Sequence, residues 1–474
     1  MTKKLGLLLG PVLFLALHAA PIELLPANAL TVVALAMWMI SWWITEAVSI
    51  SVTALLPLVI FPLFGVMDMN AVGANYGSSI VFLFFGGFVL ALALEKVNLH
   101  RRIALTIILK TGTSPNRVIL GFMLATAFMS MWISNTASTV VMLPIALSVI
   151  QLLIKSDDEF TPSEQRFSLS VMLGIAFSAN AGGIATVIGT PPNSVLIGFL
   201  ENEYNIEISF VKWMMIGLPF SALLISTIYL LLTKVLFPNK GVDFKTTQAV
   251  IQEQLNALGA LTKAEKHVLR IFGVTVFLWI FRVFLKGLFP HLVLTDAIIS
   301  VGAAIALFAL PLDFKHSQFV LRWPDTERLP WGILLLFGGG LALAKGMSIT
   351  GIVDQITQSI AQANLPVFLT VILLIALMLF MTELMSNVAL VAVLAPVIAG
   401  IALGLNVPLL YVLIPVTMAS SCAFMLPMAT PPNAIVFASG YIKVAQMART
   451  GIWINLIAIG FLAVLYQWVI PLLF

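Results

Sequence analysis

The chain has 474 residues, of which 61% are hydrophobic and only 9% are charged, and its mean hydropathy is +1.08. A soluble globular protein carries about 25% charged residues, so this composition excludes an ordinary soluble domain and predicts an all-α polytopic membrane protein over residues 1–474. The net charge of +4 is too small to indicate a nucleic-acid partner.

The N-terminal segment combines Lys3 and Lys4 with an apolar run over residues 5–17 and small residues at 19–20. This order is typical of a secretory signal peptide, and also of a first membrane-spanning helix whose charges stay in the cytoplasm. Because many further apolar runs follow, we predict the retained helix and keep the signal peptide as the alternative.

Apolar runs long enough to cross a bilayer recur along the chain. Eleven spans are predicted, with the limits 5–22, 28–45, 49–66, 79–95, 168–200, 212–237, 269–287, 292–310, 331–348, 407–441 and 450–474. Two other apolar stretches, 118–153 and 365–405, each carry a polar cluster at the middle. We predict that these two stretches are re-entrant helical hairpins, which enter and leave the membrane on one side.

The charges between the spans predict the topology. Lys and Arg collect in four segments, namely 96–117, 238–270, 315–328 and 443–449. The segment 201–211 instead carries three glutamates and no Lys or Arg. Because cytoplasmic loops collect Lys and Arg, the basic segments are predicted to lie inside and 201–211 outside. This assignment of the loops holds only if 118–153 is a hairpin that enters from the inside and 365–405 is a hairpin that enters from the outside. The N-terminus is then in the cytoplasm and the C-terminus is outside.

Four sequence features occur twice in the same order: a Phe-Gly-Gly start, a hydroxyl residue, a Ser-Asn pair and a Thr-Pro-Pro-Asn motif. They lie at 85–87, Ser130, 134–135 and 190–193, and again at 337–339, Thr382, 386–387 and 430–433. Since the hairpins are predicted to enter from opposite sides, we predict inverted repeats over 79–237 and 331–474. Helices that are interrupted at corresponding places, here 168–200 and 407–441, are the best sequence indication of a transporter's binding site.

Each Thr-Pro-Pro-Asn motif is predicted to break its helix, because proline has no backbone N–H and collides with the preceding turn. Irregular backbone is tolerated at membrane depth only where it is buried in protein or lines a polar cavity. The break exposes carbonyl groups that can bind a cation, and helix N-terminal N–H groups that favour an anion. One such motif could be a simple kink, whereas two in symmetric places indicate a binding site.

The Ser-Asn clusters carry uncharged groups that can hold a carboxylate, and oxygen atoms that suit Na⁺. Capping of the helix after the hairpin turn is the alternative role of the same residues. No Lys or Arg lies inside any of the four clusters, so helix dipoles and co-bound cations are predicted to balance the charge of an anion. Glu383, beside Thr382, is interpreted either as a functional group or as an anchor for its hairpin.

The paired Ser-Asn and Thr-Pro-Pro-Asn motifs resemble those of the divalent anion/sodium symporter family, the INDY-type di- and tricarboxylate transporters. The resemblance covers essentially the whole chain. It implies a homodimer with a scaffold domain at the dimer contact and a transport domain that slides in elevator fashion. It also implies that the hairpin tips and the broken helices surround one substrate and at least two Na⁺ ions.

The resemblance implies roles for individual residues as well. A first sodium site would use Ser130, Ser134, Asn135 and the backbone of Gly189. A second sodium site would use Thr382, Asn387 and the backbone of Met385 and Ala429. The substrate would meet Ser134, Asn135, Thr136, Ser386, Asn387 and residue 388, with Thr430 and Pro431 close by. Position 388 departs from the family's dicarboxylate pattern, since Val388 stands where that pattern often has threonine.

Together these features predict a sodium-coupled symporter of a C4-dicarboxylate such as succinate, in a bacterial inner membrane, with an elevator mechanism. Citrate or sulfate as the substrate, exchange of one carboxylate for another, and an anion channel stay open as alternatives. No enzyme and no cofactor besides Na⁺ as the coupling ion are predicted, since the sequence has no His/Glu metal cluster and no nucleophile with a base at motif spacing. The expected partners are the dicarboxylate, sodium ions, membrane lipid and a second copy of the chain.

Overall fold

A computed structural model describes residues 2–19, 25–112, 114–151, 161–238, 247–289, 291–313, 318–363 and 365–474. Most of these residues are helical, which confirms the all-α prediction. The described strands are β1 (Pro311–Asp313) and β2 (Gln318–Phe319), which form one short antiparallel pair. The ends of the predicted segments 5–22 and 118–153, and Lys240, Lys245 and Lys315 of the basic segments, lie outside the described residues.

The N-terminal part contains five helices: α1 (Thr2–Ala19), α2 (Ala27–Thr45), α3 (Ile50–Thr53), α4 (Leu56–Leu63) and α5 (Met69–Tyr76). The helices α1 and α2 pack against each other. The predicted span 49–66 is divided into α3 and α4 because Pro57 has no N–H to continue the earlier helix and instead lies in the first turn of α4.

A first series of seven helices follows: α6 (Ser79–Lys96), α7 (Leu99–Thr111), α8 (Pro115–Ser130), α9 (Asn135–Gln151), α10 (Pro162–Gly183), α11 (Pro191–Tyr204) and α12 (Phe210–Leu230). α12 continues into a π-helical turn (Leu231–Leu236). The helix α10 begins earlier than predicted because Thr161 and Glu164 form a capping box. The predicted first hairpin corresponds to α8 and α9, which pack on each other.

The described residues in the middle of the chain form three helices: α13 (Thr247–Ala257), α14 (Lys263–Leu288) and α15 (Asp296–Ala309). The strands β1 and β2 and a 3₁₀ turn (Trp323–Arg328) follow. α15 packs against α6, and α14 packs against α15, so this part covers the start of the first series.

The second series contains α16 (Trp331–Ile349), α17 (Ile352–Gln362), α18 (Val367–Met381), α19 (Asn387–Gly404), α20 (Leu409–Ser420), α21 (Pro431–Ala438) and α22 (Val444–Val464). A π-helical turn (Leu465–Val469) and α23 (Ile470–Leu473) end the chain. The order of elements repeats that of the first series, including the π-helical turn after the seventh helix. The inverted orientation of the two series stays a prediction.

Seven helical stretches within the described residues are long and apolar enough to cross a membrane: Ala27–Thr45, Met69–Lys96, Phe210–Leu236, Lys263–Leu288, Trp331–Ile349, Asn387–Gly404 and Val444–Leu473. Several shorter apolar helices, among them α9, α15, α18 and α20, lie between them. The chain is thus a multi-pass membrane protein, and the count of eleven spans with two hairpins stays a prediction.

Buried apolar side chains form two clusters. The smaller one joins α1, α2, α4 and α5 to α16, α17 and α19, around Phe61, Trp43 and Leu343. The larger one joins the helices of both series, including α10, α12, α20 and α22. The N-terminal helices therefore pack on α16, α17 and α19, whereas the broken helices belong to the larger cluster.

The basic segments meet at one face of the molecule. Arg102 at the start of α7 donates to Glu265 of α14 at 2.6 Å and to the carbonyl of Gly259 at 2.9 Å. Lys96 at the end of α6 forms an ion pair with Asp325 at 2.6 Å. Three of the segments that were predicted to be cytoplasmic are therefore held together.

The three glutamates of the acidic segment contact three different helices. Glu201 accepts a hydrogen bond from Ser79 of α6 at 3.0 Å. Glu203 lies 3.5 Å from Lys345 of α16, and Glu207 lies 2.7 Å from Arg282 of α14. These contacts lie at the ends of α6, α14 and α16 that are opposite the basic segments. The orientation of the chain in the membrane stays a prediction.

Candidate functional site

Both Thr-Pro-Pro-Asn motifs begin a helix after a non-helical segment. The two prolines occupy the first turn of α11 and of α21, where the backbone N–H has no partner within the helix in any case. The preceding residues, 184–190 and 421–430, are non-helical, and we call them the first break and the second break. The predicted broken helices are therefore α10 with α11, and α20 with α21.

The asparagine of each motif donates hydrogen bonds to carbonyl groups of the preceding break. Asn193 Nδ2 donates to the carbonyl of Thr186 at 2.8 Å. Asn433 Nδ2 donates to the carbonyl of Leu426 at 3.0 Å, at the same spacing along the chain, and to that of Ala423 at 3.1 Å. Buried carbonyl groups need such partners, so this asparagine replaces the helical hydrogen bonds that the break has lost.

The predicted first sodium site is a cluster of oxygen atoms at the first break. The Ser130 hydroxyl contacts Asn135 Oδ1 and lies 2.7 Å from the carbonyl of Ala179. A Cβ atom at Gly183 would lie 2.5 Å from Asn135 Oδ1 and 3.1 Å from the Gly189 carbonyl oxygen, and one at Gly189 would lie 2.9 Å from the Ser130 carbonyl oxygen. The absence of side chains at these two glycines lets the oxygens converge, which suits a hard cation.

The predicted second sodium site has the same hydroxyl, amide oxygen and carbonyl group as the first. The Thr382 hydroxyl lies 2.7 Å from Asn387 Oδ1 and 2.6 Å from the carbonyl of Ser420. Met385 belongs to the same hairpin turn, and Ala429 lies next to the end of the second break, where its N–H donates to the carbonyl of Leu426 at 3.2 Å. The hydroxyl before each turn thus joins the turn to the helix that precedes the break of the same series.

The predicted substrate residues stand at the starts of helices. Ser134 Oγ accepts the Ala137 N–H at 3.1 Å, and Ser386 Oγ accepts the Ala389 N–H at 3.5 Å, so both serines cap helices as the alternative interpretation expected. The exposed members are Ser134, Thr136 and Pro431, the half-buried ones are Asn135, Ser386, Asn387 and Val388, and Thr430 is buried.

Helix packing brings the clusters of the two series together. α9, which begins at Asn135, packs against α21, and α19, which begins at Asn387, packs against α11. Each Ser-Asn turn therefore starts a helix that lies against the Thr-Pro-Pro-Asn helix of the other series. The partial positive charge at a helix N-terminus favours an anion, and this arrangement uses four such helices without a Lys or Arg in any of the clusters.

Glu383 anchors the second hairpin turn to the second break. Its carboxylate accepts the backbone N–H groups of Phe424, Met425 and Leu426 at 2.8, 3.0 and 3.1 Å. Asn455 of α22 donates to the same carboxylate at 2.8 Å. The side chain is buried, and these donors replace the water that a carboxylate would otherwise need. The structure therefore favours the anchoring role over direct contact with a ligand.

The first break is anchored by different chemistry. The Thr186 hydroxyl donates to the carbonyl of Met131 in the first hairpin turn at 2.6 Å, and Trp213 of α12 donates to Ile184 at 3.0 Å. In both series a glycine allows the seventh helix to approach the break. A Cβ atom at Gly217 would lie 2.6 Å from the Ile184 carbonyl oxygen, and one at Gly451 would overlap the Phe424 carbonyl.

Two polar residues of this region were missed by the sequence interpretation. Asn180 of α10 is buried against the second break and contacts Thr430 of the other series at 3.0 Å. Asn455 lies inside α22 and contacts Glu383. The signal that could have found them is an amide side chain within an otherwise apolar helix, where each polar group needs a partner.

The sequence and the fold are similar to those of known membrane transporters. The chain is 39% identical to the sodium-dependent dicarboxylate transporter SdcS of Staphylococcus saprophyticus, over 98% of this chain and 91% of that one. It is 40% identical to SdcS of Staphylococcus aureus, over 99% and 91% of the two chains.

Two solved structures share the fold. MtrF of Neisseria gonorrhoeae, described as an antimetabolite efflux pump, aligns with a TM-score of 0.57 at 14% identity, over 86% of this chain and 84% of that one. The YdaH transporter of Alcanivorax borkumensis aligns with a TM-score of 0.54 at 12% identity, over 84% and 88%. A family model described as the sodium:sulfate symporter transmembrane region matches residues 2–474. The chain therefore belongs to the sodium:sulfate symporter family, which confirms the resemblance to divalent anion/sodium symporters.

Proposed function

We propose that the protein carries a C4-dicarboxylate such as succinate across the bacterial inner membrane together with Na⁺. The observation that carries this proposal is the pair of oxygen clusters, at Ser130 with Asn135 and at Thr382 with Asn387, each next to a helix start that suits an anion. The name of the Staphylococcus relatives, sodium-dependent dicarboxylate transporters, supports the same substrate and the same coupling ion.

Charge balance supports coupling to a cation. The four clusters contain no Lys or Arg, so a bound dianion would meet only helix dipoles and hydrogen-bond donors. A dianion that is taken from water into such a site needs compensating positive charge, since uncompensated buried charge is costly. Two bound Na⁺ ions would supply that charge, one at each oxygen cluster.

The arrangement of the turns favours a substrate with two anionic ends. Ser134, Asn135 and Thr136 lie at one hairpin turn, and Ser386, Asn387 and Val388 at the other. A dicarboxylate can reach both turns with separate carboxylates, whereas sulfate has a single anionic centre. Citrate has a third carboxylate, which would need a donor, and Val388 supplies none.

The N-terminal helices share no apolar cluster with the broken helices, which supports an elevator mechanism. The scaffold in this proposal contains α1, α2, α4 and α5, and the moving domain contains both breaks. The protein would act as a homodimer, with the basic segments and the N-terminus in the cytoplasm and the C-terminus outside. The contacts of Arg102 and Lys96, which hold the basic segments at one face, support this orientation.

Transport into liposomes tests the proposal. Purified protein in liposomes should accumulate labelled succinate only under an inward Na⁺ gradient. Unlabelled succinate, citrate, glutamate and sulfate are then added as competitors, each with and without Na⁺. Equal succinate uptake without Na⁺ would contradict the coupling, and stronger competition by sulfate or citrate than by succinate would contradict the substrate.

The same liposomes separate the alternative functions. An exchanger would need carboxylate inside the liposomes and would not need an ion gradient. A channel would give a bilayer current that does not saturate at millimolar substrate. Saturable uptake driven by Na⁺ alone is the result that only the symporter gives.

A further inference from the structure

Asn180 is a buried amide that connects the first series to the second break. Its side chain is 1% exposed, and its Nδ2 lies 3.0 Å from Thr430 Oγ1, 3.1 Å from the Ala423 carbonyl oxygen and 3.4 Å from Asn433 Oδ1. A backbone carbonyl only accepts hydrogen bonds, so the side of the amide that faces it is the NH₂ group. The orientation of Asn180 is therefore fixed by its surroundings.

This contact determines what the hydroxyl of Thr430 can do. Thr430 Oγ1 accepts one hydrogen bond from Asn180 Nδ2 at 3.0 Å and one from the backbone N–H of Asn433 at 3.4 Å. A threonine hydroxyl has two acceptor positions and one hydrogen. Both acceptor positions are occupied, so the hydroxyl can make a further hydrogen bond only as a donor. Among the described residues no acceptor takes that hydrogen.

The first break lacks this arrangement. Thr190 precedes α11 as Thr430 precedes α21, but its side chain caps no N–H of the helix within the described residues. Ser420 precedes the second motif by the same distance as Asn180 precedes the first, and its hydroxyl donates to the carbonyl of Thr417 at 2.7 Å. The two series therefore differ in whether the threonine hydroxyl of the motif is held as a hydrogen-bond donor.

We propose that Asn180 is a positioning residue that fixes the hydroxyl of Thr430 as a hydrogen-bond donor to a carboxylate of the substrate. This inference rests on the proposed function, since it assigns one contact within that site. In this role Asn180 acts through Thr430 and not through a contact of its own with the substrate. It holds Thr430 in the one orientation that suits an anion, and the second break recognises the carboxylate through that donor.

A double-mutant cycle on succinate binding tests the inference. Binding to purified protein is measured by calorimetry at saturating Na⁺ for the wild type, Asn180→Leu, Thr430→Val and the double variant. Each single substitution should weaken binding about tenfold to a hundredfold, which is the range for one hydrogen bond to a charged group. Asn180→Leu should cause no further loss in the Thr430→Val background, because it acts through that hydroxyl.

Two control variants are measured beside the cycle. Ser178→Ala changes a buried hydroxyl on the same helix that has no partner among the described residues, and it should leave succinate binding unchanged. Thr430→Ser keeps the hydroxyl and should keep most of the affinity. If Asn180→Leu does not fold, Asn180→Asp replaces it, because a carboxylate would accept the Thr430 hydrogen and should weaken binding equally.

The outcomes are distinct. Wild-type affinity in the Asn180 variant, or an additive loss in the double variant, would overturn the role of Asn180 while the proposed function stands. A wild-type protein that binds no succinate at saturating Na⁺ would overturn the proposed function itself.

Discussion

The hydroxyl of Thr382 lies 2.7 Å from the amide oxygen of Asn387, and one further contact, 2.6 Å long, joins it to the carbonyl of Ser420. Ser130 has the same relation to Asn135 and Ala179 in the first series. A single hydroxyl thus connects each hairpin turn to the helix before its break. The asparagine of each turn is both part of an oxygen cluster and the first residue of a helix.

Replacement of either asparagine should abolish transport. Asn135→Ala and Asn387→Ala each remove the amide oxygen that faces the cluster hydroxyl, so we expect loss of Na⁺-driven succinate uptake with little loss of expression. Uptake in liposomes is compared at equal amounts of reconstituted protein. Transport at the wild-type rate in either variant would remove that asparagine from the site.

Val388→Thr should change substrate preference without loss of Na⁺ dependence. The substitution adds one hydroxyl donor at the second hairpin turn with little change in volume. The relative strengths of succinate, citrate and sulfate as competitors should shift by several fold, since one added hydrogen bond contributes roughly 1 kcal/mol. An unchanged competition profile would count against the placement of Val388 in the pocket.

Glu383→Gln should destabilise the protein. The carboxylate accepts three backbone N–H groups and the Asn455 amide, and a glutamine would direct its own N–H groups toward these donors. An unsatisfied buried donor costs about 1–3 kcal/mol, so the unfolding temperature in detergent should fall. The exposed Glu46→Gln serves as the control and should leave that temperature unchanged. A Glu383→Gln variant that is as stable as the wild type would contradict the anchoring role.

Gly217→Ala and Gly451→Ala should impair transport, because a methyl group at either position would collide with carbonyl groups of the adjacent break. The break would have to move, and the oxygen atoms beside the break would move as well. Gly460→Ala on α22 is a matched control, since a Cβ atom there meets nothing within 4 Å. Equal uptake rates for Gly451→Ala and Gly460→Ala would show that the close approach is unimportant.

The sequence predicted the parts of the site that occur twice. The Ser-Asn turns and the Thr-Pro-Pro-Asn motifs stood out because the same residue types recur in the same order, and the helices begin at those residues. The anchors of the two breaks do not recur, so this comparison could not predict them. Thr186 anchors the first break through the carbonyl of Met131, whereas Glu383 anchors the second break through backbone N–H groups. Asn180 was missed because its partners lie in the other series, far along the chain.

The acidic segment joins the end of α11, the helix that the first motif begins, to three other helices. Ser79, Lys345 and Arg282 each hold one of its glutamates, and they belong to α6, α16 and α14. If α11 moves relative to these helices, the contacts of Glu201 and Glu203 have to break, and Glu207 follows three residues after the end of α11. Glu207 is well exposed, so salt on that side of the membrane screens its pair with Arg282. In the proposed elevator mechanism these contacts would resist the movement of α11, and the ionic strength at that face would set how strongly the Glu207 pair resists.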